Sequence, residues 1–179
     1  MEKLLAFSRR IDRVSELAGA VADRLVLLAC LVSAGNAVVR YLVNYSSNAW
    51  LEVQWYMFGA LVFLGAAHTL RMNEHVRVDI IYSWVSDRTR LWIDALGFAF
   101  IFMPVLFVLA SISWPFFIRS FLQGEYSSNS GGLIMWPIKF FIPFGFSFLL
   151  VQGVSELIKR VAALMGRYTL DHEYEKPVQ

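Results

Sequence analysis

The side chains best suited to chemistry are few in this sequence, and they do not form a familiar catalytic set. The chain has three histidines, His68, His75 and His172, and only His68 falls inside an apolar run. Haem in a bundle of membrane helices usually takes two axial ligands from facing helices, so the histidines disfavour a membrane cytochrome. Cys30 is the single cysteine and lies in an apolar run, so it can form no internal disulfide.

Hydrolytic and metal-dependent chemistry find equally little support. A metal site needs His, Cys, Asp or Glu at ligand spacing, and the sequence offers no such cluster. Ser127, Ser128 and Ser130 form a polar group, but no histidine is expected at the same depth to act as their base. We therefore predict that the chain is not an enzyme and binds neither a cofactor nor a metal.

Lys139 is the charged residue whose position most needs an explanation. A polar, turn-rich segment, residues 124–132, runs into an apolar helix candidate in which Lys139 lies between Pro137 and Pro143. A charge within a hydrocarbon-facing segment costs about 3 kcal/mol or more, so Lys139 is expected to have a partner. Glu52 and Glu125 are the two candidates for an ion pair, which would fix the second and fourth spans. The alternative is that Lys139 extends to the outer interface without a partner.

The composition indicates an all-α membrane protein. Of the 179 residues, 58% are hydrophobic and 16% aromatic, whereas ordinary soluble domains are about 45–50% apolar. A membrane-spanning helix needs about 20 mostly apolar residues, and the sequence has four such runs, so we predict one four-span domain over residues 1–179. The formal net charge of +2 gives no support to nucleic-acid binding. The predicted spans are residues 25–42, 49–70, 91–118 and 137–157.

Two amphipathic segments are predicted beside the spans. Residues 1–22 carry apolar side chains at three- and four-residue spacing between basic ones, which is typical of a helix on the cytoplasmic membrane surface. The alternative is a cytoplasmic extension of the first span; a secretory signal peptide is disfavoured because the apolar run continues through Val39. Residues 76–88 predict a second interfacial helix, between spans 2 and 3. Residues 160–179 predict a polar cytoplasmic tail.

The basic residues predict the orientation. Most of the 16 Lys and Arg residues fall in the N-terminal segment, in the connection between spans 2 and 3, or in the tail. Only Arg40 and Arg119 fall in the connections on the opposite side. By the positive-inside rule both termini are cytoplasmic, and residues 124–132 face outward.

A transport pathway within this chain is not expected. Many secondary transporters contain internal repeats and broken helices that meet at the membrane midplane, and the two halves of this sequence show no self-similarity. Polar residues within the spans lie toward the span ends. The pattern favours a compact bundle that packs against a larger membrane partner. The alternative is a small self-assembling channel or exporter, which should show a continuous polar stripe along one span.

Four short motifs, in this order and with this spacing relative to the spans, resemble those of a known family. They are His75-Val76-Arg77-Val78-Asp79, Gly124-Glu125-Tyr126-Ser127, Trp136-Pro137-Ile138-Lys139 and Pro143-Phe144-Gly145. The chain is similar over nearly its whole length to the small, Q-type (DctQ-like) membrane subunit of tripartite ATP-independent periplasmic (TRAP) transporters.

The resemblance implies a function that the residues alone do not supply. In that family a four-span subunit of the bacterial inner membrane associates with a large multi-span subunit. The large subunit carries the substrate and sodium sites, and a periplasmic binding protein delivers an organic acid, a carboxylate or a sulfonate. The small subunit would act as a scaffold in this sodium-coupled uptake.

The resemblance also implies structural roles for particular residues. Those expected to be architectural are Glu52, Glu125, Trp136, Pro137, Lys139 and Pro143. His75, Arg77 and Asp79 would orient the interfacial helix and contact lipid headgroups or the large subunit. The expected partners are therefore the large subunit, the binding protein and membrane lipids.

Overall fold

The computed structural model describes residues 1–45, 47–73 and 84–169. These residues form four long helices, each long and apolar enough to cross a membrane. The helices are α1 (Glu2–Val43), α2 (Asn48–Met72), α3 (Asp87–Gln123) and α4 (Trp136–Leu164). No strand occurs in the described ranges apart from one isolated bridge between Tyr126 and Ile134. The structure confirms the prediction of an all-α membrane protein with four spans.

The first helix is longer than a membrane span. α1 has 42 residues, which at about 1.5 Å per residue is roughly twice the thickness of the hydrocarbon core. The amphipathic segment predicted for residues 1–22 and the span predicted for residues 25–42 are parts of this one helix, as in the alternative of a cytoplasmic extension. The reason is local: no proline occurs in α1, and residues 22–25 are all compatible with a helix. Contact of residues 1–22 with the membrane surface stays a prediction.

The third helix changes its winding at its centre. A π-helical turn, Phe98–Phe102, separates the α-helical segments Asp87–Gly97 and Met103–Gln123. Pro104 is the second residue after this turn. Proline lacks an N–H and its ring clashes with the carbonyl four residues earlier, so the wider turn accommodates Pro104 within a continuous helix.

The fourth helix is the centre of the bundle. α4 packs against each of the other three helices, α1 packs along α2, and α3 packs chiefly against α4. Close approach is achieved with glycine: a Cβ at Gly145 would overlap the Phe63 ring, and a Cβ at Gly19 would overlap the His68 ring. Because α3 hardly contacts α2, an apolar groove of about 720 Å³ remains between these two helices.

The predicted interfacial helix lies largely outside the described residues, which resume at Trp84. Trp84 to Ser86 are not helical, and the Ser86 side chain caps α3 by accepting the N–H of Thr89. The first residues of the predicted tail, which begins at residue 160, are helical, because α4 continues through Leu164. Lys159 and Arg160 are buried and paired there, so their charges do not end the helix.

Candidate functional site

The ion pairs of the described bundle, and the hydrogen bonds to its carboxylates, gather at its two ends. We call these groups the outer cluster and the inner cluster, after the predicted orientation. The outer cluster comprises Glu52, Tyr56, Glu125, Ser127, Asn129, Leu133 and Lys139. The inner cluster comprises Ser8, Asp12, Ser15, Asp94, Gln152, Ser155, Glu156, Lys159 and Arg160.

Glu52 holds the loop between α3 and α4 in place. It lies in the first turns of α2, is 2% exposed, and accepts hydrogen bonds from three loop groups. Asn129 donates its side-chain amide at 2.8 Å, Leu133 donates its backbone N–H at 2.6 Å, and Ser127 donates its hydroxyl. A single carboxylate therefore satisfies donors across the whole turn of the loop.

Lys139 pairs with Glu125 rather than with Glu52. The Lys139 ammonium lies 2.5 Å from the Glu125 carboxylate and 4.4 Å from the centre of the Phe116 ring. The pair joins the loop to α4, so it does not connect the second and fourth spans as the sequence suggested. The hydrogen bond from Lys139 holds the pKa of the Glu125 carboxyl below its ordinary value of 4.5.

Further contacts tie the loop to α2 and α4. Tyr56 of α2 donates its hydroxyl to the backbone carbonyl of Ile134 at 2.8 Å. The backbone N–H of Met135 donates to the carbonyl of Glu125 at 2.7 Å. The loop is therefore held in place by contacts with two helices and by hydrogen bonds within its own backbone.

Three more of the predicted site residues belong to α4 itself. Trp136 begins α4 and packs edge-on against Phe121 of α3, with ring centres 5.5 Å apart. Pro137 lies in the first turn of α4, as expected of a residue without an N–H. Pro143 lies inside the helix and is fully buried.

His75, Arg77 and Asp79 lie outside the described residues. Their expected roles at the interfacial helix therefore stay predictions. Of the nine predicted site residues, the structure brings Glu52, Glu125 and Lys139 together at the outer end of the bundle.

The centre of the inner cluster is Glu156 on α4. Its carboxylate pairs with Lys159 and, at 2.6 Å, with Arg160. All three side chains are less than a tenth exposed. Buried charges are costly unless they are paired and hydrogen-bonded, and this triad meets that condition along one face of a single helix.

Two other helices supply further carboxylates to the triad. Asp12 of α1 lies 3.2 Å from Lys159, and Asp94 of α3 lies 3.4 Å from Arg160. The guanidinium also lies over the ring of Phe98, 4.4 Å from its centre. Residues of α1, α3 and α4 are thus joined in one ionic network.

Neutral polar side chains extend this network along α1 and α4. Ser8 and Ser155 share a hydrogen bond of 2.6 Å, and Ser15 donates to Gln152 at 2.6 Å. Gln152 in turn donates to Asp12 at 3.0 Å. The small serines allow α1 and α4 to approach closely, and every one of these hydroxyls has a partner.

The sequence analysis did not identify the inner cluster as a site. A signal was present: Ser8, Asp12 and Ser15 recur at four- and three-residue spacing on α1. Gln152, Ser155, Glu156 and Lys159 recur in the same way on α4, so each set lies on one helical face. Two matching polar faces at the ends of apolar runs predict contact between them.

Between the two clusters most of the buried side chains are apolar, with Ser113 as a buried polar exception. The side chains buried at this depth include Ala22, Ala60 and Ala67, and Phe63 packs edge-on against Phe146 at 5.5 Å. Across residues 1–45, 47–73 and 84–169, no group of three or more His, Cys, Asp or Glu is placed to hold a metal ion. The arrangement can hold helices and a loop in position.

Comparison with known families decides which membrane proteins this chain resembles. Residues 29–163 match the family model described as the DctQ component of tripartite ATP-independent periplasmic transporters. The chain belongs to this family. No curated protein and no solved structure matches the chain significantly.

Membership of the DctQ family confirms the resemblance seen in the sequence motifs. The chain is a small TRAP transporter subunit, and its family consists of transporter components. The match begins within α1 and ends at the last turn of α4. It therefore includes both ends of the bundle, except for the part of α1 that carries Ser8, Asp12 and Ser15.

Proposed function

We propose that this DctQ chain is a non-catalytic scaffold that stabilises the large transport subunit of a TRAP transporter. The observation that carries the proposal is the distribution of polar groups. Within the described residues, the buried charges are paired in clusters at the two ends, and the side chains buried between the clusters are mostly apolar. Among these residues, an ion or organic anion crossing through the interior of the bundle would meet no buried charged group in the middle of the membrane.

The open side of the bundle also supports a scaffold role. α3 packs chiefly against α4 and leaves the groove toward α2 unfilled. In a bilayer the hydrophobic effect does not close such a groove, because lipid tails are as apolar as the side chains that line it. A subunit that offers apolar faces to a larger membrane protein need not close it.

Co-purification tests the scaffold proposal. The tagged chain is extracted from its native membranes in mild detergent, and co-purifying proteins are identified by mass spectrometry. We expect a larger multi-span protein in roughly stoichiometric amount, encoded near a periplasmic binding protein. Recovery of this chain alone as a defined oligomer would instead favour the self-assembling channel or exporter.

The complete transporter would take up an organic acid, a carboxylate or a sulfonate, driven by a sodium gradient across the bacterial inner membrane. Support comes from the family and from the distribution of the basic residues, from which we infer cytoplasmic termini by the positive-inside rule. Candidate acids are first screened for binding to the periplasmic protein. Uptake of the acid that binds is then measured in proteoliposomes with both membrane subunits, and it should cease when the sodium gradient is removed.

The loop of residues 124–132 would contact the binding protein. Tyr126 is 69% exposed at the outer end, while Glu125 and Ser127 beside it are engaged within the outer cluster. We expect Tyr126→Ala to weaken docking of the binding protein to the complete transporter in a surface-binding assay. Tyr41→Ala is the matched control, because Tyr41 is an exposed tyrosine near the end of α1 on the same side. Equal docking of wild type and Tyr126→Ala would contradict this assignment.

A further inference from the structure

The first turns of α1 present polar side chains to the bundle and apolar ones to the surroundings. Ser8 and Ser15 are buried against α4. Leu4, Phe7 and Val14 are about half exposed, and Leu17 is 68% exposed. A helix end surrounded by water usually has the opposite distribution. The outward face of this segment therefore carries large apolar side chains that contact with water alone would not favour.

The depth of this segment can be derived from its neighbours. A Cβ at Gly19 would overlap the ring of His68, and Glu16 pairs with Arg71 at 3.5 Å. α2 ends at Met72, so the residues before Glu16 extend past the inner end of α2. The segment thus begins where the apolar span of α2 ends, which is the depth of lipid headgroups.

Four cations on this segment have no acidic partner within the described residues. They are Lys3, Arg9, Arg10 and Arg13, and all four are exposed. Asp12 pairs with Lys159 and Glu16 with Arg71, so Glu2 is the one other carboxylate of the segment against these four cations. The outward side of the segment therefore carries uncompensated positive charge.

The cations and the apolar side chains occupy neighbouring faces. At about 100° per residue, Lys3 and Arg10 project among Phe7, Val14 and Leu17, while Arg13 borders them. Apolar side chains flanked by basic ones are the pattern of a helix that binds anionic membrane surfaces.

We infer that residues 3–17 form a binding face for anionic phospholipids of the inner leaflet. The arginine and lysine side chains bind the phosphate groups, and the apolar side chains nearest the span, Val14 and Leu17, lie in the boundary between headgroups and acyl chains. A protein partner is the less suitable occupant, because a protein interface tends to exclude charge from its apolar centre, whereas here Lys3 and Arg10 lie within the apolar stripe. The inference is independent of the scaffold function.

Lipid titration of the purified full-length chain tests the inference. The detergent-solubilised protein is titrated with phosphatidylglycerol or with phosphatidylcholine, and bound lipid is followed by native mass spectrometry. We expect wild type to prefer the anionic lipid by about tenfold or more, because each basic residue near the surface adds severalfold. Arg10→Gln/Arg13→Gln should abolish most of the preference.

The matched control removes the same charge from the other side of the protein. Arg40→Gln/Arg119→Gln alters two exposed arginines on the outer side and should keep the preference. Circular dichroism and the melting midpoint verify that both double variants are folded. Equal binding of the two lipids by wild type overturns the inference, as does a preference that survives in Arg10→Gln/Arg13→Gln. If the variant keeps the lipid preference and no longer co-purifies with the large subunit from native membranes, a protein covers this face and the inference is wrong.

Discussion

The two ends of the bundle use charged residues in different ways. At the outer end, Glu52 accepts hydrogen bonds from a loop, and the Lys139 partner, Glu125, has a side chain that is 39% exposed. At the inner end, Glu156, Lys159 and Arg160 are buried among three helices. The outer cluster thus fixes the shape of a connection, whereas the inner cluster fixes the relative positions of α1, α3 and α4.

The difference follows from what each end must join. A loop offers backbone N–H groups that need acceptors once they are shielded from water, and one carboxylate such as Glu52 can serve several of them. Helices have no free backbone donors along their length, so only side chains can join them through polar contacts. Loss of a charge should therefore have a local effect at the outer end and a global effect at the inner end.

The largest effect is expected for Glu156→Ala. The substitution leaves Lys159 and Arg160 buried with fewer acceptors, and breaking a buried ion pair by removing one partner typically costs about 3–5 kcal/mol. We expect the free energy of unfolding to fall by this amount, measured by denaturant titration in detergent.

Glu16→Ala is the matched control for that experiment. Glu16 also pairs with an arginine at the inner end, but its side chain is 62% exposed. Exposed ion pairs contribute about 0–1 kcal/mol, so this variant should remain close to wild type. Equal losses for the two variants would contradict the distinction between buried and exposed pairs.

Glu52→Ala should have the next largest effect, confined to the loop. Asn129, Leu133 and Ser127 lose their acceptor, and hydrogen bonds to charged groups are among the stronger ones. We expect amide exchange of residues 127–133 to accelerate about tenfold or more, while exchange at the inner end of α4 is unchanged. Glu52→Gln retains an acceptor oxygen and should have a smaller effect. Acceleration throughout α4 would show that the outer cluster also positions helices.

Much of the fold could be predicted from the sequence, because it depends on composition and length. Four apolar runs of spanning length can form little else in a membrane, and the structure contains the four corresponding helices. The continuity of α1 was harder to predict, since a basic amphipathic segment before a span is compatible with both a separate surface helix and an extension. No helix breaker occurs near residue 22, and the contacts of Ser8 and Ser15 with α4 further support the extension.

The candidate site could be predicted only in part, because pairing depends on tertiary contacts. The need for a partner at Lys139 follows from the cost of a charge in an apolar segment, and Glu125 was one of two candidates. The choice between them depends on the loop, whose donors engage Glu52. The contacts of the inner cluster form only when α1 and α4 pack in one particular register. The sequence of neither helix alone specifies that register.

Lys139→Met, a substitution at the outer end, should lower the stability of the whole protein only slightly. It removes the pair with Glu125 and the contact with Phe116, but methionine preserves most of the apolar packing. We expect a loss of about 1 kcal/mol or less, seen as a melting midpoint lowered by a few degrees. The double variant Lys139→Met/Glu125→Gln should be no less stable than Lys139→Met alone, because the interaction is already lost. Additive effects of the two substitutions would show that the ion pair has no role.

The smallest expected effect is a pH dependence that resides at the outer end. Lys139 lowers the pKa of Glu125 below its ordinary value of 4.5, so the folded protein releases this proton more readily than the unfolded chain. The contribution to stability is therefore complete above the ordinary pKa and is lost as the pH falls through the lowered value. Comparing wild type with Glu125→Gln between about pH 6 and pH 3, we expect the difference in loop amide exchange at residues 125–135 to shrink with acidification. Protonation removes from wild type the negative charge that Glu125→Gln also lacks. If the difference in exchange rate between the two proteins stays constant across this pH range, the shape of the Glu125 side chain stabilises the loop and its charge does not.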